Sequence, residues 1–251
     1  MICLKNKNII ITGASSGIGQ ATSILCSKLG ARVLLIGRRE EKLKEVISEM
    51  DNPSNQTYLV GDITNHDEFE FNFKEKLTSF GKVDGVVHSA GIEMTRPLKM
   101  LKTKSLNEVI QLNLFSPINI TRILNGRGIF NENGGSIIFI SSIVGLLGQP
   151  GKVGYSASKG ALISASKSLA LELASKKIRV NSVLPAMVKT EMSIKLLEKL
   201  PDDAKDKIED MHPLGIGTPN DVANAVVFLL SDLSKWITGT SMIVDGGYSS
   251  L

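Results

Sequence analysis

Cysteine, aromatic residues and long apolar runs are all scarce in this 251-residue chain, and each scarcity excludes something. Two cysteines, Cys3 and Cys26, cannot build a disulfide framework and have no metal-ligand spacing. Cys26 falls in a helical stretch and reads as an ordinary buried small residue. One Trp and three Tyr offer little stacking for nucleic-acid bases, and the 29 basic and 25 acidic residues are mixed along the chain. The net charge of +4 therefore reads as a solvated surface, and nucleic acid is not an expected partner. No stretch approaches the roughly 20 apolar residues of a membrane span. The first residues, Met1-Ile2-Cys3-Leu4-Lys5, lack the apolar core of a signal peptide. The expectation is a cytoplasmic protein with no membrane partner and no metal.

What the chain does have is alternation. Strand-like runs at Asn8–Thr12, Arg32–Ile36, Thr57–Val60, Gly85–His88, Ser136–Ile140, Arg179–Val183 and Ser241–Val244 are separated by helical stretches near 17–29, 39–50, 65–80, 105–124, 155–175 and 219–230. Continuous apolar strands such as Ile137-Ile138-Phe139-Ile140 suit a parallel sheet covered on both faces. The pattern predicts an α/β fold with a doubly wound parallel sheet in a single domain. Its dinucleotide-binding half would be about 1–135 and its catalytic half about 136–251. The segment 191–213 breaks the alternation: Met192, Ile194, Leu196, Leu197, Leu200 and Met211 recur at roughly helical spacing among seven acids and four lysines. It reads as a mobile helical lid, or else as a surface helix packed on the core.

The first strand runs into Thr12-Gly13-Ala14-Ser15-Ser16-Gly17-Ile18-Gly19. A strand, a glycine turn and a helix N-terminus form a ready anion site. The spacing is G-x3-G-x-G, which differs from the usual G-x-G-x-x-G pattern. The second strand ends in Gly37-Arg38-Arg39, with no carboxylate where NAD sites place one. Two guanidinium groups fit a 2′-phosphate, so NADP(H) is favoured over NAD(H); the bland reading is a solvated helix start, with Glu40 and Glu41 in its first turn. Asp62, followed by Ile63, either accepts from an adenine amino group or caps the next helix. His88 reads as a packed residue, and Ser89-Ala90-Gly91 leaves room for a dinucleotide beside the backbone.

Tyr155 and Lys159 lie four apart on one helix face. Bringing a phenol from a pKa near ~10 to neutrality takes roughly 4 kcal/mol, which an ammonium about 4 Å away supplies only in a partly dry cleft. Ser142 ends the fifth strand and would hold a substrate carbonyl beside that tyrosine. Asn113, inside a helical stretch, implies a bend, a bound water or a satisfied amide.

On these residues, with Asp62, Ala90-Gly91 and the terminal Thr238-Gly239-Thr240 and Val244-Asp245-Gly246-Gly247, the chain resembles the short-chain dehydrogenase/reductase family over essentially its whole length. The resemblance implies a seven-stranded Rossmann sheet and a homotetramer. It makes Tyr155 the general acid, Lys159 the group that lowers its pKa and holds the nicotinamide ribose, Ser142 the carbonyl-orienting group and Asn113 the anchor of a relay water. It also carries the cofactor set: Gly13, Ser15, Ser16, Gly17, Ile18 and Gly19 at the turn; Arg38, Arg39, Asp62 and Ile63 at the adenosine end; Ser89, Ala90 and Gly91 beside it; Val188 and Thr190 at the carboxamide. Two departures are Ser89, where the family usually has Asn, and Pro185-Ala186, where it has Pro-Gly. Within the family the chain looks closest to the 3-oxoacyl-[acyl-carrier-protein] reductase group. Leu171 replaces an arginine by which that group docks its acidic carrier, with Arg127 a substitute nearby. The first expectation is therefore a small ketone or sugar-type substrate, with a 3-oxoacyl thioester as the alternative. A catalytically dead dinucleotide sensor is the non-enzyme reading, although such proteins lack the tyrosine or lysine.

Overall fold

Alternation of side chains along each strand divides the apolar residues of the sheet between two cores. In the computed structural model, residues 1–198 and 201–250 are described, so the expected lid residue Leu200 lies outside them. The strands are β1 (Asn8–Thr12), β2 (Arg32–Gly37), β3 (Thr57–Val60), β4 (Gly85–His88), β5 (Gly135–Ile140), β6 (Ile178–Pro185) and β7 (Ser241–Val244). They form one parallel sheet in the order β3-β2-β1-β4-β5-β6-β7. Ile9, Ile11, Val33, Leu35, Val87 and Ile138 point to one face, where they pack with Cys26 and Val226. Ile10, Leu34, Ile36, Val86, Ile137 and Phe139 point to the other, against Phe69, Phe73, Ile120 and Leu162.

Helices cover both faces: α1 (Gly17–Lys28), α2 (Glu40–Ser48), α3 (His66–Phe80), α4 (Thr103–Ile110), α5 (Ser116–Leu124), α6 (Val153–Leu173), α7 (Glu191–Leu197), α8 (Asp202–Asp210) and α9 (Pro219–Leu230). Thr218 and Asp221 close a capping box at the start of α9. The helix expected over 105–124 is not continuous. A wide π-turn, Gln111–Phe115, separates α4 from α5. Pro117 explains the break: it has no N–H to give to the carbonyl of Asn113, four residues earlier, and its ring crowds that carbonyl.

Cys26 is fully buried and its thiol is pushed up by desolvation, as befits an ordinary core residue. His88 is also packed, stacked 4.9 Å from Phe139 and 3.0 Å from the Thr121 hydroxyl, and burial pulls it down to about 3. The expected lid is two helices, α7 and α8, following β6. No helix among the described residues is long and apolar enough to cross a membrane. Strand order reverses between β1 and β4, and in such sheets the ligand crevice lies beyond the C-terminal strand ends at that reversal.

Candidate active site

A cavity of about 590 Å³ opens at that place and brings most of the expected residues together. Its floor is backbone. Gly13 and Gly17 hold φ of +67° and +58°, values that side-chain-bearing residues rarely adopt. A Cβ on Gly13 would fall 2.7 Å from Ala90 Cα, and one on Gly19 would fall 2.3 Å from the Gly13 carbonyl oxygen. The turn can therefore pack against the end of β4 and the start of α1 only with glycine at these points. Ser16 caps α1 without using its side chain, and no acid sits in the first turn. The first N–H groups of α1 stay available for an anion. A dinucleotide pyrophosphate fits this cradle.

Arg38, Arg39, Asp62 and Ile63 line the adenosine end. Arg38 lies 3.8 Å from Asp62, and both are substantially exposed. Asp62 is not the cap of α3, a position held by Asn65; it accepts from the Thr64 N–H at 2.9 Å and from its hydroxyl at 2.7 Å. These bonds, with Arg38, hold its carboxyl below the usual range against partial desolvation. Arg39 caps α2 and reaches back to the Ser15 hydroxyl at 3.3 Å and forward to Glu191 at 3.5 Å. It thus clasps the glycine turn to the start of α7. Glu40 and Glu41 stand in the first turn of α2, as expected. Ser89, Ala90 and Gly91 follow β4, and the Ala90 N–H donates to the Thr12 hydroxyl at 3.3 Å. Val188 and Thr190 line the opposite wall, where Thr190 Cγ2 comes within 3.2 Å of a Cβ built on Gly17.

The reactive groups converge at the far end. Ser142, just past β5, accepts from the Val144 N–H at 3.4 Å and donates to the Pro185 carbonyl at 3.4 Å. Tyr155 and Lys159 come from the first turns of α6, with the ammonium 5.7 Å from the Tyr155 ring centre. Lys159 Nζ donates to the Ile140 carbonyl at 2.8 Å and is almost wholly buried. Asn113 Oδ1 accepts from the Ile92 N–H at 2.9 Å, while Nδ2 donates to the Ile92 carbonyl at 2.9 Å and to the Ser158 hydroxyl at 3.1 Å. Asn113 therefore straps the 90–92 turn to α6.

The electrostatics differ from the expectation. Burial, with the Glu93 charge adding to it, pushes the Tyr155 phenol up to about 12, although the Ser142 hydroxyl works the other way. Burial pulls Lys159 down to about 8. The Lys159 ammonium is held by the Ile140 carbonyl, 5.7 Å from the centre of the Tyr155 ring. Three features of the site escaped the sequence reading. One is the Arg39 clasp; another is an ion pair between Glu93 and Lys152 in the cavity wall. The third is His212, whose ring is tilted against that of Tyr248 at 4.9 Å and which accepts from the Met187 N–H at 3.4 Å. Each joins residues far apart in the chain, so no local pattern announces it.

The lowered Lys159 makes stability depend on pH. Between about 8 and the ordinary lysine value the unfolded chain holds a proton that the native lysine has released, so stability from this group rises with pH across that window. Denaturant titrations of the wild type and Lys159→Met at pH 7.5 to 9.5 should show the difference moving in favour of the wild type as pH rises. A difference that stays constant with pH contradicts the assignment.

The comparisons with known proteins agree with this geometry. The family model described as Enoyl-(Acyl carrier protein) reductase matches residues 13–249. The 3-oxoacyl-[acyl-carrier-protein] reductase of Rickettsia felis is 40% identical over 248 residues, covering 98% of each chain. That of Thermotoga maritima is 36% identical over 246 residues, covering 97% of this chain and 98% of the relative. Among solved structures, a provisionally named short-chain alcohol dehydrogenase of Sinorhizobium meliloti superposes with a TM-score of 0.92 at 28% identity, over 99% of this chain and 98% of its own. A provisionally named NAD(P)-dependent gluconate 5-dehydrogenase of Beutenbergia cavernae, with NADP bound, gives 0.91 at 30% identity over 100% and 99%. Sequence, sheet order and crevice lead to one conclusion: the chain belongs to the short-chain dehydrogenase/reductase family and is an NAD(P)-dependent oxidoreductase acting on alcohol and ketone groups.

Proposed function

We propose that the protein is an NADPH-dependent reductase of 3-oxoacyl thioesters. The observation that carries this reading is the apolar part of the cavity lining that holds Ser142 and Tyr155, where Ile143, Val144, Met187, Met192, Ile208 and Met211 offer surface to an acyl chain. A polyhydroxy sugar would leave its hydroxyls unpaired against that lining. The names of the Rickettsia and Thermotoga relatives support the thioester over the small free ketone or sugar-type compound expected first. The α7–α8 segment carries Met192, Ile208 and Met211 and serves as a lid over the substrate end. The exposed side chains of Phe115 and Trp236 are candidate contacts of a homotetramer.

NADPH, when bound, supplies the hydride. The hydroxyls of Ser142 and Tyr155 hold the ketone oxygen and aim the carbonyl carbon at the cofactor end of the cavity. As that oxygen gains charge, Tyr155 gives it the phenolic proton. Burial keeps the Tyr155 phenol protonated through the physiological range, so the proton it gives is in place before the reaction begins. Lys159, 2.8 Å from the Ile140 carbonyl, stabilises the phenolate left behind. Asn113 keeps the 90–92 turn and α6 in register, and its main-chain carbonyl, which Pro117 cannot serve as the ordinary helical donor, is the place for a relay water. Arg38 and Arg39 take the 2′-phosphate. The Arg38–Asp62 contact is exposed and worth under about 1 kcal/mol, so it yields readily to a doubly charged phosphate.

NADPH oxidation with acetoacetyl thioesters, ketoses and simple ketones tests the substrate: the thioester should lead in kcat/KM by roughly tenfold or more, and a ketose in first place would refute the proposal. Tyr155→Phe should retain NADPH affinity while turnover falls about 10²–10⁴-fold; a loss of less than tenfold would remove the phenol from the proton step. Arg38→Ala should weaken NADPH roughly tenfold by fluorescence titration and NADH far less. Equal losses for the two cofactors would place the 2′-phosphate elsewhere.

A further inference from the structure

One charged pair in the cavity wall is not used by the chemistry above. Lys152 Nζ donates to Glu93 Oε1, and Lys152 is only 7% exposed. The Thr95 hydroxyl donates to the same Glu93 oxygen at 2.6 Å, and the Arg96 N–H donates to the Gly151 carbonyl at 2.7 Å. The turn after β4 is thereby stitched to the turn that leads into α6. The Lys152 ammonium lies 5.9 Å from the centre of the Tyr155 ring. Both Glu93 and Lys152 line the same cavity as Tyr155.

A buried ion pair is a weak source of stability, because desolvation of both charges cancels most of their attraction. Its position gives it another use. An ammonium has three N–H donors, and among the described residues Glu93 is the one acceptor recorded for Lys152. Lys152 lines the cavity with its ammonium 5.9 Å from the Tyr155 ring centre, so a ligand held by Tyr155 lies within range of the two other donors. Glu93 cancels the net charge of the lysine and repels an anion, so the pair suits a neutral acceptor better than a free carboxylate.

We propose that Lys152, positioned by Glu93, is a specificity-determining residue that donates a hydrogen bond to a second, neutral carbonyl oxygen of the substrate, so that the site selects 1,3-dicarbonyl compounds over simple ketones. The inference rests on the thioester reading, since a 3-oxoacyl thioester is such a compound: its thioester carbonyl lies two carbons from the ketone. It extends to 3-oxoesters and 1,3-diketones, and it disfavours 3-oxo acids with a free carboxylate.

The test is the ratio of kcat/KM for acetoacetyl-N-acetylcysteamine, ethyl acetoacetate and acetylacetone to that for a monoketone of matched length, measured for the wild type, Lys152→Met, Lys152→Arg and Glu93→Gln. Lys152→Met should lower that ratio by roughly ten- to a hundredfold, the factor expected for a hydrogen bond from a charged donor. Lys152→Arg should restore part of it, and Glu93→Gln should improve relative activity on acetoacetate itself. The dissociation constant of 3-hydroxybutyryl-N-acetylcysteamine, read by calorimetry on the NADP-loaded protein, should rise by a similar factor in Lys152→Met. Thermal melts and NADPH titration identify a variant that has lost its fold. Equal losses on dicarbonyls and monoketones, or a wild type that does not distinguish them, overturns the inference. Preference for ethyl acetoacetate and acetylacetone with no reduction of the thioester upholds it and overturns the thioester reading instead.

Discussion

Two backbone approaches set the terms for the rest of the molecule: the β1 turn against Ala90, and the start of α1 against the Gly13 carbonyl. Neither leaves room for a Cβ, so the ends of β1 and β4 meet with nothing between them. Because strand order reverses at that pair, the crevice opens where two chain ends draw close and helices diverge to opposite faces. The same closeness brings Gly91 beside Asn113 and Lys159, where an added Cβ would lie 3.2 Å from the amide oxygen and 3.5 Å from the ammonium. The phosphate cradle and the reactive end are therefore one construction. A displacement at Gly13 would move the strap that Asn113 makes to α6.

Dryness at the reactive end has opposite effects on its two titratable groups. It raises the phenol and lowers the amine, and each shift favours the neutral form. An ammonium that donates to Ile140 is poised to respond as negative charge appears on the neighbouring phenol. The sequence reading gives the Lys159 ammonium the task of lowering Tyr155, and burial works in the opposite direction. The lysine's effect belongs to the moment of proton transfer, when a phenolate in a low-dielectric setting draws on any nearby cation.

Much of the fold was legible from local pattern. The apolar runs placed the central strands, because a parallel strand covered on both faces has almost no choice of residue type, and β-rich runs placed the half-buried edge strands β3 and β7. Gly13 to Gly19, Tyr155 and Lys159 were legible for a related reason: close approach and helical spacing are properties of neighbours in sequence. The π-turn was half legible. Asn113 signalled a bend, and Pro117 four residues on supplied its cause, but the two were not read together. Asp62 kept two readings open, and the Asx-type bonds to Thr64 removed the cap. Fifty-nine residues separate Glu93 from Lys152. Nothing in either neighbourhood marks them, since a single acid or lysine in a turn is ordinarily solvated.

That division has a physical basis which bears on specificity. The sheet fixes where strand ends point, and sequence periodicity encodes the sheet. What the substrate meets is built from the turns leaving those ends: 93–97 after β4, 149–152 before α6, and the α7–α8 segment after β6. Turns at a common sheet edge can be altered independently while the scaffold stays the same, so one fold serves many substrates. Here two of the turns are locked by opposite charges within reach of Tyr155 and the third presents methionines and isoleucine. A polar fixture beside the reacting carbon facing an apolar wall is the division of a 3-oxoacyl group itself, with its two carbonyl oxygens at one end and its hydrocarbon at the other. The outer surface offers little to an acidic partner: Leu171 stands 82% exposed on α6, and the 191–213 segment has more acids than lysines. On the proposed thioester reading, recognition rests on the interior of the cavity, and affinity for an acidic carrier protein would have to come from other residues, such as the exposed Arg127.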